Sequence, residues 1–122
     1  VLQIAVNLVA NARDSVLERC QRIATPSVVD AAPGRIAVRA AVDDGWLELA
    51  VEDDGGGIAP ETLARIFNAG FTTKARGHGY GLHSSALAAE HLRGTLRCTS
   101  AGIDRGASFI LRIPVETASS HD

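Results

Sequence analysis

The first 21 residues combine one narrow polar stripe with apolar residues on nearly every other side. At about 100° per residue, six polar residues fall within one sector of a helix: Gln3, Asn7, Asn11, Asp14, Glu18 and Gln21. The pattern predicts a buried helix over residues 1–21. A polar stripe that only faces solvent usually carries Lys and Glu, which favour helix, whereas Asn is a poor helix former. The Asn and Asp residues therefore indicate a polar ligand, such as a metal, a phosphate or a nucleotide. A narrow solvated face is the alternative.

Two strand pairs and two further helices are predicted farther along the chain. Four segments alternate between polar and apolar residues as strands do: 35–42, 46–53, 95–100 and 107–115. The first two flank Asp43-Asp44-Gly45, and Asp-Gly is typical of a tight hairpin turn. Helical segments are predicted over 60–67, where Pro occupies the first turn, and over 82–92, before Arg93-Gly94 as a C-terminal cap. The intervening residues 68–81 are rich in glycine and predict a mobile loop.

This order of elements predicts an α+β fold, with helices on one face of a largely antiparallel sheet. At 122 residues the chain is about one domain. Its 46% hydrophobic and 21% charged content is that of an ordinary soluble protein. The net charge of −2, without any basic tract, argues against nucleic acid as a partner. Cys20 and Cys98 lie far apart without metal or redox spacing and are expected to be reduced, buried small hydrophobes.

The termini and the apolar runs give expectations about the parent protein. Val1 lies inside a helical pattern without a cap before it, so the chain is expected to be a piece of a longer protein. Residues 117–122 are expected to form a flexible tail. No apolar run reaches the roughly 18 residues that a membrane span needs. The domain is therefore expected in the cytoplasm without membrane contact of its own, whether or not the parent protein is membrane-anchored.

The segment Glu52-Asp53-Asp54-Gly55-Gly56-Gly57-Ile58 ends the second predicted strand. A carboxylate followed by glycines lets the backbone approach a flat ligand, while the acid accepts a hydrogen bond from a donor such as the adenine amino group. Guanine presents an oxygen at that edge, so a carboxylate favours adenine. A surface turn is an equal alternative, because Asp and Gly are common in turns. The spacing of a calcium-binding loop is not met.

The segment Gly77-His78-Gly79-Tyr80-Gly81-Leu82 leads directly into a predicted helix. Glycines before a helix N-terminus expose amides and the positive end of the helix dipole, an arrangement that holds phosphate. A flexible hinge is the alternative, and the pattern is neither a dinucleotide fingerprint nor a Walker loop. Lys74 is placed either to reach a terminal phosphate or to be solvated. His83 beside Ser84 and Ser85 does not form a hydrolase triad, because these residues are neighbours on one helical turn.

In this order the motifs resemble the ATP-binding catalytic domain of two-component sensor histidine kinases. Five segments, similar to the N, G1, F, G2 and G3 boxes of that family, carry the resemblance: Asn7-Leu-x-x-Asn11-Ala-x-Asp14, Asp53-x-Gly55-x-Gly57-Ile58, Ile66-Phe67 with Phe71-Thr-Thr-Lys74, Gly77-x-Gly79-x-Gly81-Leu82, and Gly106-Ala-Ser-Phe109. The resemblance implies a Bergerat-type two-layer sandwich over residues 1–116, with helices on one face of a mostly antiparallel mixed sheet.

The resemblance also implies roles for individual residues. Asp53 would accept from the adenine amino group, and Asn11 would bind Mg²⁺ with help from Asn7, so both Asn residues are implied to be catalytic. Phe67 and Phe71 would anchor a lid over about residues 68–81. The complete implied ATP-binding set is Asn7, Asn11, Asp53, Gly55, Gly57, Ile58, Phe67, Phe71, Thr72, Thr73, Lys74, Gly77, His78, Gly79, Tyr80, Gly81, Leu82 and Ser108.

The implied reaction is transfer of the γ-phosphoryl group of ATP to a histidine on a separate dimerisation domain, with a response regulator downstream. No phosphoacceptor helix is present, so this chain alone is expected to bind ATP without phosphorylating itself. Gyrase, Hsp90 and MutL ATPases, the alternative enzymes, use a Glu one turn before the magnesium Asn, where this chain has Asn7, which cannot act as a base. A non-catalytic nucleotide sensor is a third possibility.

Two further positions depart from the pattern of relatives. Asn68-Ala69-Gly70 stands where sensor kinases often have Glu-Pro-Phe, so the lid is expected to have less to dock on. Ala107 and Ser108 follow Gly106, where ATPase relatives often place a Thr near adenine.

Overall fold

A computed structural model gives the fold and describes residues 2–23, 34–67 and 81–115. Helix α1, Leu2–Ile23, follows the first predicted helix closely. Its buried side chains recur every four residues, at Ile4, Leu8, Ala12 and Val16, and so form one stripe along the helix. This stripe faces the sheet and supplies the helical half of the core.

The expectation that α1 is buried on every side except its polar stripe is wrong. A second apolar stripe on α1 is exposed, with 78% of Leu2, 52% of Val6 and 50% of Leu17 accessible to solvent. The physical reason is that the sheet covers only one side of the helix, while α3 lies on the side of the polar stripe. The outer apolar side therefore has no described element packed over it.

The sheet has four strands in the order β1-β2-β4-β3, and all three strand pairings are antiparallel. The strands are β1, Ile36–Asp43; β2, Trp46–Asp53; β3, Thr95–Thr99; and β4, Ala107–Pro114. Each matches a predicted strand to within one residue at either end. With α1 and the third helix packed on one face, the predicted α+β architecture is confirmed.

The first hairpin turns as its sequence predicts. Asp44 and Gly45 both have positive φ, at 51° and 81°, as a two-residue turn between twisted antiparallel strands requires. Asp is one of the few residues other than Gly that adopts this conformation readily. The turn fixes the pairing of Asp43 with Trp46 and therefore the register of the whole hairpin.

The second predicted helix is shorter than expected. Helix α2 covers only Pro60–Leu63, and the residues up to Phe67 form turns. After Leu63 the hydrogen bonds tighten, since the amide of Arg65 donates to the carbonyl of Thr62 at 2.8 Å. Ile66 is then buried in the core, at 4% exposure. The predicted boundary at Phe67 is therefore wrong, because the chain tightens into turns after Leu63.

Helix α3, Gly81–His91, begins one residue before its predicted start. At its end the amide of Gly94 donates to the carbonyl of Ala89 at 2.8 Å, and Arg93 adopts a positive φ of 64°. These bonds close the helix as the predicted Arg93-Gly94 cap requires, with Arg93 in the left-handed conformation. Among the described helices, none is long and apolar enough to cross a membrane.

The core lies between α1 and the two central strands. Leu49 and Val51 of β2 and Phe109, Leu111 and Ile113 of β4 point to the helical face and are buried. Asp53 continues the same face at the end of β2, paired with Ala107. The Asp53 carboxylate of the predicted adenine site thus lies at the edge of the core, next to α1.

Both cysteines are free, as the sequence predicts, but they are half-buried rather than fully buried. Burial raises the pKa of the Cys98 thiol to about 12, and the negative charge of Asp53 adds to this effect. The thiol therefore stays protonated at neutral pH and behaves as a small apolar group.

Candidate functional site

The site is built around the carboxylate of Asp53 at the end of β2. Its Oδ1 accepts a hydrogen bond of 2.8 Å from the amide of Gly55, which closes a short turn directly after the strand. Its Oδ2 is buried and has no hydrogen-bond partner among the residues that the structure describes. Since a buried carboxylate oxygen without a donor is costly, this atom is suited to accept from a ligand.

Burial raises the pKa of Asp53 above its ordinary value of 3.8, and the charge of Asp54 adds to the rise. The amide of Gly55, the hydroxyl of Ser15 and the amide of Ala107 oppose the rise by hydrogen bonding to the carboxylate. The carboxylate therefore lies in a partly desolvated environment, in which a further hydrogen-bond donor would stabilise its charged form.

The glycines after Asp53 allow three chain segments to meet closely. A Cβ on Gly55 would lie 2.5 Å from the backbone carbon of Ser15 on α1. Gly57 has a φ of +69°, and a Cβ there would overlap the carbonyl of Gly102 in the turn before β4. The glycines predicted to line the base thus have a packing role, because they let the turn press against α1 and the β3–β4 turn.

Helix α1 holds this turn through two side chains that were not predicted as part of the site. The amide of Gly56 donates to the hydroxyl of Ser15 at 3.0 Å and to its carbonyl at 3.1 Å. One helical turn later, Nη1 of Arg19 donates to the carbonyl of Asp54 at 2.8 Å. Ser15 and Arg19 follow Asn11 at intervals of four residues, and this spacing is the sequence signal that would have pointed to them.

The two Asn residues of α1 lie on the same side of the helix as Ser15. The Nδ2 of Asn7 donates to the hydroxyl of Ser85 on α3 at 3.1 Å, and its Oδ1 accepts from Nε2 of Gln3 at 3.1 Å. Asn11 is half-buried and lies between Asn7 and Ser15, one turn from each. The structure therefore places Asn11 between α3 and the turn that carries Asp53.

The start of α3 is tied to the end of the α2 region. His83 lies in the first turn of α3, and its Nδ1 makes a 2.9 Å hydrogen bond with the carbonyl oxygen of Phe67. Because a carbonyl only accepts, Nδ1 carries the hydrogen. The Phe67 ring packs edge-on against Phe109, with ring centroids 6.3 Å apart. Phe67 and Leu82 both contact the core, which gives these predicted residues a packing role.

Ser108 and Asp53 both line one open cavity, but their side chains lie on opposite faces of the sheet. Alternate residues of a strand face opposite sides of the sheet, so Ala107 shares the face of Asp53 and Ser108 points away from the helices. There its hydroxyl donates to Oε2 of Glu52 at 3.2 Å, while Oε1 of Glu52 pairs with Nη2 of Arg39 at 2.8 Å. The structure thus pairs the Ser108 hydroxyl with Glu52 and not with the Asp53 carboxylate.

Ile58 lies at the far end of the same turn, half-buried against the core. Its amide donates to the hydroxyl of Ser100 at 3.0 Å, and that hydroxyl donates to the carbonyl of Gly106 at 2.7 Å. Ser100, which was not predicted, therefore joins the turn after β2 to the turn before β4. The remaining predicted residues lie outside the described part of the chain: Phe71, Thr72, Thr73, Lys74, Gly77, His78, Gly79 and Tyr80.

The donors at this site suit a magnesium ion that arrives with phosphate oxygens. In the described ranges, no group of three or more His, Cys, Asp or Glu side chains could hold a metal ion by itself. Mg²⁺ commonly takes only one or two protein ligands and completes its octahedron with water and phosphate. The side-chain oxygen of Asn11 fits that requirement, because it is a neutral oxygen donor on a rigid helix.

Comparison with known proteins gives an independent view of this chain. The family model for histidine kinase-, DNA gyrase B- and HSP90-like ATPases matches residues 1–117. The two-component sensor PprA of Pseudomonas aeruginosa is 41% identical over 115 residues, which are 93% of this chain and 12% of the relative. The sensor kinase CckA of Brucella abortus is 33% identical over 115 residues, or 92% of this chain and 12% of the relative.

A third relative, the sensor histidine kinase ZraS of Escherichia coli O157:H7, is 39% identical over 82 residues. That match covers 67% of this chain and 18% of the relative. The chain thus spans less than a fifth of the length of each of these relatives.

Proposed function

Because this chain belongs to the family of histidine kinase-, DNA gyrase B- and HSP90-like ATPases, we propose that it is the ATP-binding catalytic domain of a sensor histidine kinase. It binds ATP with Mg²⁺ and supplies the γ-phosphoryl group to a histidine on a separate dimerisation domain of the parent protein. A response regulator then receives the phosphoryl group. The names of the relatives support this assignment, since PprA is a two-component sensor and CckA a sensor kinase.

The observation that carries nucleotide binding is the buried Oδ2 of Asp53, which has no hydrogen-bond partner in the described residues. The amino group of adenine is a donor of the kind that this oxygen lacks. Guanine presents a carbonyl oxygen at the same edge, which would repel the carboxylate. The site therefore selects adenine nucleotides by leaving one acceptor unsatisfied until the base is bound.

The chain contributes to phosphoryl transfer by positioning ATP and by stabilising the negative charge of its phosphates. Asp53 holds the base, and Asn11 offers an oxygen ligand one helical turn from Ser15, so α1 links the base to the phosphates. When bound, Mg²⁺ neutralises negative charge on the phosphate oxygens. The amides at the start of α3 lie where they favour anionic groups, because the N-terminal end of a helix carries partial positive charge.

Asn7 favours transfer to a histidine over hydrolysis. Its Nδ2 donates to Ser85 and its Oδ1 accepts from Gln3, so both ends of the amide are engaged. A side-chain amide also has no basic site at neutral pH and cannot take a proton from water. The domain thus lacks at this position the general base that an ATPase of the same family would use.

Calorimetry with nucleotides tests the binding half of the proposal. The 122-residue chain should bind ADP in preference to GDP, and Asp53→Asn should weaken ADP binding by about tenfold or more, as expected for a hydrogen bond to a charged group. Asp44→Asn is the matched control, because Asp44 is an exposed acid in the β1–β2 turn. Equal affinity for ADP and GDP would contradict the proposal.

Incubation with radiolabelled ATP tests the transfer half. The chain alone should acquire no acid-labile label, whereas adding the histidine-bearing dimerisation domain of the parent protein should produce phosphohistidine on that domain. Rapid release of inorganic phosphate without the acceptor would identify an ATPase instead. ATP binding without transfer to the acceptor would identify a nucleotide sensor.

A further inference from the structure

We propose that Ser15 is a positioning residue for adenine recognition, which fixes the orientation of the Asp53 carboxylate and ties it to helix α1. This inference rests on the proposed nucleotide site and adds a residue to it. Ser15 does not touch the base in this proposal. It acts through the turn that follows β2.

The contacts of Ser15 converge on that turn. Its hydroxyl oxygen accepts from the Gly56 amide at 3.0 Å, and its carbonyl oxygen accepts from the same amide at 3.1 Å. Gly55 lies so close to Ser15 that an added Cβ would stand 2.5 Å from the Ser15 Oγ. The middle of the turn is therefore held against one side chain of α1.

The same turn determines which carboxylate oxygen is left for a ligand. The amide of Gly55 donates to Oδ1 of Asp53 at 2.8 Å, and this bond leaves Oδ2 as the oxygen without a partner in the described residues. A hydroxyl accepts from one group while it donates its own hydrogen to another. Ser15 thus accepts from Gly56 and still has a hydrogen to donate near the Asp53 carboxylate, whose pKa its hydroxyl lowers.

The position of Ser15 also links the site for the base to the site for the phosphates. Asn11 lies one helical turn before Ser15, and a turn of α-helix rises about 5.4 Å. A rigid helix therefore connects the proposed magnesium ligand to the residue that orients the adenine acceptor. If this link is broken, the base should be recognised less selectively even though Asn11 remains in place.

The test compares ADP with IDP, which carries an oxygen in place of the amino group. Ser15→Ala should weaken ADP binding about three- to tenfold, the loss expected for one hydrogen bond, and should leave IDP binding nearly unchanged. The selectivity for ADP over IDP should therefore fall by the same factor. Ser15→Cys, which keeps a similar volume but bonds weakly through sulfur, should show the same loss of selectivity.

A pH profile provides the second measurement. Without the Ser15 hydroxyl, the pKa of Asp53 should rise. When pH is lowered, Ser15→Ala should therefore lose ADP affinity at a higher pH than the unmodified chain does. Asp54 and Cys98 are the other titratable groups whose charges act on Asp53. The Cys98 thiol stays neutral across this range, because its pKa is about 12, and Asp54 is the same in both proteins.

Ser84→Ala is the matched control, since it removes an exposed hydroxyl from α3. Circular dichroism at each pH confirms that every variant is folded. If the unmodified chain prefers ADP but Ser15→Ala keeps both the selectivity and the pH profile, Ser15 has no positioning role and the proposed function stands. An equal loss for ADP and IDP would also overturn the inference. If the unmodified chain does not distinguish ADP from IDP, the proposed nucleotide site itself is wrong.

Discussion

The side-chain amide of Asn7 donates a 3.1 Å hydrogen bond to the hydroxyl of Ser85, and this bond joins α1 to α3. Ser85 is 1% exposed and is the one polar residue among the buried residues of the described chain. Gln3 holds the other end of the Asn7 amide. The two helices that carry the proposed metal ligand and the start of the phosphate site are thereby fixed relative to each other.

Ser85→Ala should lower the free energy of unfolding by about 1 kcal/mol, because the Asn7 amide loses a partner at a partly buried position. Urea denaturation followed by circular dichroism measures the change. Ser84→Ala removes a neighbouring exposed hydroxyl and should change the stability by less than about 0.5 kcal/mol. If both variants unfold at the same urea concentration, the Asn7–Ser85 bond contributes nothing to stability.

Asp53→Asn should stabilise the chain in the absence of nucleotide, and more so at pH 7 than at low pH. Burial raises the pKa of Asp53 in the folded chain above its ordinary value of 3.8. The stability that this group contributes is therefore fully present below pH 3.8 and is lost as pH rises through the folded-state pKa. Asn carries no charge to desolvate, and its side-chain oxygen can still accept from the Gly55 amide.

Urea midpoints of Asp53→Asn and the unmodified chain, measured between pH 4 and pH 7, check this prediction. The difference in unfolding free energy should shift in favour of the variant as pH rises. A difference that stays constant with pH would show that Asp53 titrates alike in the folded and unfolded chains. Together with weaker ADP binding, a gain in stability would identify Asp53 as a residue retained for function at a cost in stability.

Gly55→Ala should destabilise the chain by about 1–3 kcal/mol and abolish most ADP binding, because its Cβ would lie 2.5 Å from the backbone of Ser15. The turn after β2 would have to move away from α1 and take Asp53 with it. Thermal unfolding and calorimetry with ADP measure the two effects. Gly34→Ala is the control, since no atom lies within 4 Å of its added Cβ. Unchanged ADP affinity in Gly55→Ala would show that the close packing is not needed for binding.

The sheet and the first hairpin were predictable because their signals are local. Alternation with a period of two residues identified the four strands, and Asp44-Gly45 fixed the hairpin register through its positive φ angles. The same periodicity places Ala107 on the face of Asp53 and turns Ser108 to the opposite face, where its hydroxyl bonds to Glu52. Strand alternation therefore tells which side chain shares the face of Asp53, whereas closeness to Gly106 along the sequence does not.

Long-range contacts could not be read from the sequence. The outer apolar side of α1, with Leu2 and Val6 exposed, looked like a buried side, because periodicity does not tell how many neighbours a helix has. The four-residue spacing from Asn11 places Ser15 on the right side of α1 but does not show its contact with Gly56, which spans 41 positions of sequence. Hydrogen bonds between residues so far apart become visible only once the elements are packed.

Asn11→Ala should remove most of the gain in ATP affinity that Mg²⁺ provides. In the unmodified chain, calorimetry should show tighter ATP binding with Mg²⁺ than with EDTA, and the variant should lose about tenfold of the affinity measured with Mg²⁺. ADP binding in EDTA should hardly change, because Asp53 and its turn are intact. Asn11→Asp retains an oxygen ligand and should keep the magnesium effect. If Asn11→Ala binds Mg-ATP as tightly as the unmodified chain, the polar stripe of α1 has a structural role at this position, and the magnesium ligand lies elsewhere.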